Sequence, residues 1–187
     1  MKIPWGSEIA NRFITNVGLI TTYGDHGHNI MACEWTHHLS YDPALVGIAL
    51  HPRHATHAHI KASKEFGICI ASIHQSELSS IAGKGSGKIY NKINIAKELG
   101  YDFVSSKKIN ALMVAGASAN LECILHQEIH LGDHTLFVGE VIEGSFTAET
   151  KPLGYHAGKY WEMSSSLVKP SEIQRGKINL LFEKYKK

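Results

Sequence analysis

Residues 119–146, ANLECILHQEIHLGDHTLFVGEVIEGSF, hold two strand-like runs of thirteen residues separated by Gly132–Asp133. A Gly-Asp pair between two such runs is the short-range mark of a β-hairpin, so the stretch predicts two long antiparallel strands. Upstream, FITNVGLITTY (13–23) is dense in β-branched and aromatic residues and runs into the turn signal GDHGHN. NIMACEW (29–35) follows as a second strand, and a second hairpin is expected. LSYDP (39–43) reads as a turn, because Pro43 has no N–H to give a strand partner. ALVGIAL (44–50) is apolar enough for a buried strand.

Thr56 is the expected N-cap of a helix over 57–65, with the strand FGICIASI (66–73) after it. Short helices are expected over 74–82 and 91–100, on either side of the glycine-rich loop GKGSGK (83–88). Many antiparallel strands and few helices predict a mainly β fold, a small β-barrel with helical inserts. From Ser164 the composition shifts to the linker-like SSSLVKPSEIQRG, in which Ser171 and Gln174 are spaced as a capping box. Ile178, Leu181, Phe182 and Tyr185 then repeat at helical spacing in a basic tail. Residues 1–163 are expected to form one domain, and 164–187 a C-terminal tail with a short helix.

The chain has 187 residues, with 19 basic and 17 acidic side chains and a formal charge of +2. So small an excess supplies no basic field, and no nucleic-acid partner is expected. Cys33, Cys69 and Cys123 lie apart among apolar neighbours with no C-x-x-C, the pattern of reduced, buried thiols. The start, MKIPWGSEIA, lacks an apolar leader core, and no run approaches the ~18 apolar residues that span a bilayer. The expected setting is the cytoplasm, away from membranes.

Thirteen histidines raise the question of a metal. In HPRHATHAHI (51–60), His57 and His59 are two apart and face different sides of a helix. His54 and His57 have a metal-sharing spacing only if the helix starts before Thr56. His126, Glu128 and His130 alternate along a strand and share a face, but strand rise separates the two histidines by about 13 Å. H-E-x-x-H does not occur. No metal is expected, and a histidine-rich metal-binding or sensing module stands as a rival function.

GKGSGKI (83–89) imitates a Walker loop, but that pattern needs glycine at 82 and Ser or Thr at 89, where Ala82 and Ile89 stand. Neither a nucleophile elbow in a strand–helix setting nor a G-x-G-x-x-G fingerprint is found. An NTPase, a serine hydrolase and a separate Rossmann site are all unsupported.

Four stretches taken together resemble the flavin reductase-like family, including its flavoredoxin-like branch. NIMACEWTHHLSYDPALVGIAL (29–50) is similar to the family's N-x-M-x-x-x-W, then S-x-D-P and an apolar strand. HPRHATHAHIKASKEFGICIAS (51–72) resembles its Arg or His, helix-starting Thr and Glu-Phe at a strand entry. GKGSGKIYNKI (83–93) resembles Gly-x-x-Ser-Gly followed by a lysine, and LGDHTLFVGEV (131–141) resembles the Gly-Asp-His signature. PLGYHAGKYW (152–161) is a looser match. The resemblance covers roughly residues 10–162 and implies a homodimeric, six-stranded antiparallel split barrel that binds FMN near the subunit interface. It implies an oxidoreductase, an NAD(P)H-dependent flavin reductase fed by NADH or NADPH. The alternative is an FMN electron carrier reduced by a redox protein partner.

On this resemblance, a phosphate dianion would sit at the helix start in 51–60, where unpaired N–H groups and a nearby cation suit it. Thr56 would supply the cap hydroxyl, Arg53 a permanently charged fork, and His51 and His54 further donors. Ala32, Cys33, Glu34, Trp35 and Thr36 would wall and hydrogen-bond the isoalloxazine ring by family position. Ser86, Gly87 and Lys92 would close over the flavin. His134, from the Gly-Asp-His signature, would stand beside the reacting face as the catalytic residue.

Overall fold

The computed structural model describes residues 1–186. After a single 3-10 turn (Ala10–Arg12) come β1 (Thr15–Asn16), β2 (Gly18–Gly24), β3 (Gly27–Cys33), β4 (Thr36–Ser40) and β5 (Leu45–Leu50). Helix α1 (Ala55–Ser63) leads into β6 (Glu65–Ile70), and α2 (Ser76–Gly83) and α3 (Lys92–Glu98) precede the small β7 (Phe103–Ser105) and β8 (Leu112–Val114). The long β9 (Ala119–Leu131) and β10 (His134–Phe146) are followed by β11 (Leu153–His156), β12 (Lys159–Glu162) and the tail helix α4 (Glu172–Lys184).

The hairpin of β9 and β10 forms as the sequence predicts. Leu131 pairs with His134 across a two-residue turn in which Gly132 takes φ 61°, a conformation glycine adopts freely. Two register shifts, at Val138/Gly139 and Val141/Glu143, bend these strands. The hairpin then bridges two smaller sets of strands, because β9 also pairs with β6 and β10 with β5. The main sheet is antiparallel, in the order β3-β2-β6-β9-β10-β5-β4.

Its two edges are consecutive in the chain. Laid flat, seven strands would hold β3 and β4 about 29 Å apart. Cys33 and Thr36 are three residues apart, a reach of about 11 Å at most. The sheet is therefore rolled, and Glu34–Trp35 crosses the seam of a split barrel. At that seam Thr36 donates its hydroxyl to the Cys33 carbonyl at 3.1 Å. A side chain at Gly18 would collide with that same hydroxyl.

Alternation along β2 sorts its side chains between two cores. Ile20 faces the barrel interior with Ile48, Leu50, Phe66, Ile68 and Phe137. Leu19 faces outward into a second core with Ile30, Leu78, Ile93 and Val114, under α2 and α3. The main sheet has one strand more than the six that the resemblance implies. Thr36–Ser40 pairs with β5, although part of it, 39–40, was expected to belong to a turn. The actual turn, at 41–44, holds Pro43 outside the ladder. The run 13–23, expected as one strand, is divided into β1 and β2, and the pairs β7–β8 and β11–β12 are additions that no sequence signal announced. All three cysteines are free and buried, and burial pushes the Cys69 and Cys123 thiols up to about 12. No helix among the described residues is long and apolar enough to cross a membrane.

Candidate functional site

Three segments meet in a cleft of about 350 Å³: the middle of β3, the start of α1 and the loop between α2 and α3. Each brings a different polar resource. At the start of α1, His54 holds the N-cap position with extended backbone (ψ 142°) and makes no side-chain cap. The first-turn N–H groups therefore carry no capping side chain, which is the condition under which an anion binds a helix start. Thr56 is not the cap that the sequence suggests. It lies at the second helical position, 1% exposed, where its hydroxyl oxygen accepts from the Asn29 amide at 2.9 Å. With that oxygen engaged across the cleft, it does not turn back to the first-turn N–H groups.

Lys92, the first residue of α3, is 4% exposed and donates to the Ala82 carbonyl at 2.7 Å. An ammonium has three protons to give, so the cleft holds a cation with donors to spare. Burial holds its pKa down to about 8. Arg53 lies exposed at the rim and donates through Nε to His54 Nε2 at 3.4 Å. The His54 Nδ1 lies 3.0 Å from Met31 Sδ. Burial first, and then the Arg53 charge, hold His54 to about 4, so it is neutral near pH 7. Gly87 closes the loop onto β3: any side chain there would collide with Asn29 Oδ1, itself buried and without a partner.

Seven of the thirteen residues singled out from sequence thus share this cleft: Ala32, Arg53, His54, Thr56, Ser86, Gly87 and Lys92. Cys33 and Glu34 line an adjoining cleft of about 300 Å³, walled by Trp5, Tyr155 and Tyr160 and divided from the first by Ala32 and Gly83. There Glu34 accepts from the Trp5 indole at 2.8 Å, while Tyr160 donates to Ser79 at 3.1 Å. Trp35, His51 and His134 line neither cleft and stack on one another instead. The Trp35 and His134 rings are 4.6 Å apart, and His51 meets His134 edge-on at 5.6 Å. His54, 6.2 Å from His51, links this stack to the first cleft. The Thr36 side chain is committed to the barrel seam.

Asn29 and Met31 were not singled out from sequence, although both lie in the quoted N-x-M. The available signal was an amide inside an apolar strand, since a buried amide must find partners. Elsewhere, His126 lies 3.9 Å from Glu140, and His130 3.3 Å from Thr135, without converging on each other. No group of three or more His, Cys, Asp or Glu side chains among the described residues is placed to share an ion.

Residues 10–164 match the sequence profile of the flavin reductase like domain. An uncharacterised protein of Pyrococcus abyssi is 36% identical over 133 residues, 70% of this chain and 73% of that one. An NADH-dependent FAD reductase of Streptomyces globisporus is 26% identical over 148 residues, 79% of each chain. The reductase component of a flavin-dependent trigonelline monooxygenase from Acinetobacter baylyi is 27% identical over 155 residues, 82% of this chain but only 47% of that protein. Among solved structures, an FMN-binding protein from Thermus thermophilus shares the fold at a TM-score of 0.77 and 21% identity, covering 91% of this chain and 97% of its own. With most of its length matched and its sheet rolled in the same way, this chain belongs to the flavin reductase-like family.

Proposed function

We propose that this protein is a flavin-dependent oxidoreductase that holds FMN in the larger cleft and takes electrons from NADH or NADPH. The observation that carries this is the buried Lys92 ammonium, with protons to spare, facing the uncapped start of α1. Such a pairing suits a phosphate dianion and little else that a barrel of this kind would meet. In this assignment Arg53, Thr56 and Lys92 hold the phosphate, and Ser86 and Gly87 close the loop over it. The ring extends toward the adjoining cleft, where Ala32 and the backbone of Cys33 and Glu34 line its edge. Trp35 flanks it beside His134, while the side chain of Thr36 fixes the seam beneath. His51 steadies the Arg53 backbone, whose N–H donates to His51 Nδ1 at 3.2 Å.

When bound, the flavin supplies a hydride acceptor at N5 and releases electrons to a second substrate. His134 stands beside the reacting face. Its Nδ1 is 2.7 Å from Asp133 Oδ1, which fixes Nδ1 as the donor and leaves Nε2 to face a substrate. The protein is proposed to work in the cytoplasm as a homodimer. Residues 1–163 carry the cleft and 164–187 pack on the second copy. A flavin-using partner enzyme is the proposed receiver, in keeping with the monooxygenase component among its relatives.

The test is a spectroscopic FMN titration of untagged protein, followed by stopped-flow mixing with NADH and with NADPH. Stoichiometric binding that is lost in Arg53→Ala, then rapid bleaching, is the expected result. Absence of flavin binding would overturn the assignment. Bound flavin that bleaches only with a reduced redox protein would make the chain an electron carrier. In His134→Ala the reduction rate should fall roughly tenfold or more with FMN still bound, and an unchanged rate would remove His134 from the chemistry.

A further inference from the structure

Asn29 sits in the middle of β3, 3% exposed, and lines the cleft. The Nδ2 end donates to Thr56 Oγ1 at 2.9 Å. The Oδ1 end is buried and has no partner. A threonine hydroxyl has one proton to give and two lone pairs to offer. Because Asn29 occupies a lone pair, the Thr56 proton is the part that remains free.

Inside a helix, that proton commonly goes to a carbonyl three or four residues back. Ser63, at the far end of α1, does this by donating to the His59 carbonyl at 2.9 Å. Thr56 cannot follow, because the residues three and four before it, Arg53 and Pro52, precede the helix. Its proton is left for whatever enters the cleft. A phosphate oxygen only accepts hydrogen bonds, and its charge strengthens the bond it accepts. The terminal hydroxyl of riboflavin gains only a neutral bond there.

We infer that Asn29 is a positioning residue that makes the Thr56 hydroxyl an obligatory donor, and so sets the preference of the cleft for phosphorylated flavins over riboflavin. The inference rests on the flavin assignment above. It adds a specificity determinant to that assignment and names the ligand class that it selects. The unpartnered Oδ1 is packed against Gly87 and takes no part in the discrimination between the two flavins.

The experiment is a pair of fluorescence titrations, with FMN and with riboflavin, on the full chain and its variants. Wild type should bind FMN at least tenfold more tightly than riboflavin. Asn29→Asp offers Thr56 an acceptor in place of a donor and draws the hydroxyl proton away from the ligand. Asn29→Asp and Thr56→Val should each lower the FMN preference by about tenfold while binding riboflavin within about twofold of wild type. Thr56→Ser, which keeps the hydroxyl, should retain the preference. Asn29→Ala combined with Thr56→Val should lose no more than Thr56→Val alone, because the amide acts through the hydroxyl.

Additive losses in that double variant would overturn the inference, as would an unchanged FMN-to-riboflavin ratio in Asn29→Asp. If Asn29→Asp does not fold, the Asn29→Ala and Thr56→Val cycle decides the matter alone. Wild type that binds neither flavin refutes the flavin assignment itself. Wild type that binds both flavins equally refutes the role of Asn29 and the phosphate cradle with it, but leaves flavin binding itself standing.

Discussion

A lysine with 4% exposure and one carbonyl acceptor costs the fold free energy unless an anion visits it. Burial alone holds the Lys92 ammonium to about 8, so the free protein loses that proton as pH rises through 8. Phosphate binds the protonated form. FMN affinity should therefore be greatest near pH 7, where the phosphate is a dianion, and weaken by up to about tenfold per pH unit above 8. The neighbouring charges do not blur this window: Arg53 keeps its charge throughout, and His54 titrates near 4. Dissociation constants from pH 7 to 9.5 check the slope, and Lys92→Met should flatten it. Riboflavin, which has no phosphate, should show no such slope in wild type. At this scale the sequence was informative about charged residues and poor about neutral ones. Arg53 and Lys92 announce themselves as cations beside a helix start and a glycine loop. Asn29 and the true place of Thr56 depend on a hydrogen bond between segments 27 residues apart, which no local pattern encodes.

The long hairpin shows what an element costs when its register is disturbed. Gly139 sits at a register shift in β10, with Phe66 and Cys123 packed against its Cα. A Cβ at Gly139 would lie 2.6 Å from the Phe66 ring and 2.9 Å from Cys123 Cβ. Gly139→Ala should destabilise by about 1–3 kcal/mol through overpacking, a fall of roughly 3–10 °C in Tm by calorimetry. FMN binding by the folded fraction should be unchanged, because Gly139 lines neither cleft. The hairpin was legible because thirteen-residue apolar patterns and a Gly-Asp turn coincide. β4 was not, for the opposite reason. Its residues, Thr36-His-His-Leu-Ser, carry little strand propensity and run toward Asp42–Pro43. What makes them a strand is the neighbouring β5, with which they pair. Tertiary pairing likewise creates β7 and β8, of three residues each.

For the whole molecule, the open question of assembly falls on the tail. The capping box forms as its spacing predicts, with Ser171 and Gln174 bonded reciprocally, and α4 extends from it. Ile173, Leu180 and Phe182 are all more than 70% exposed, and no described residue of α4 is buried. In the proposed dimer these side chains find their cover on the second copy. Removal of residues 164–187 should then shift sedimentation from dimer to monomer and leave the fold of the barrel intact by circular dichroism. A truncated protein that still sediments as a dimer would place the interface on the barrel itself.

The strand order also has a temporal side. Apart from side-chain bonds at the seam, the sets β3-β2-β6 and β5-β4 are joined in the ladder only by way of β9 and β10. Every residue lining the larger cleft lies between Asn29 and Lys92. On the ribosome, therefore, the lining is made well before the clasp. A nascent chain halted short of Ala119 holds every residue that lines the cleft but not the two strands that join their sheet to β5 and β4. Under the proposed flavin assignment, capture of the cofactor should follow the emergence of the hairpin, with the barrel closing before a ligand can template it.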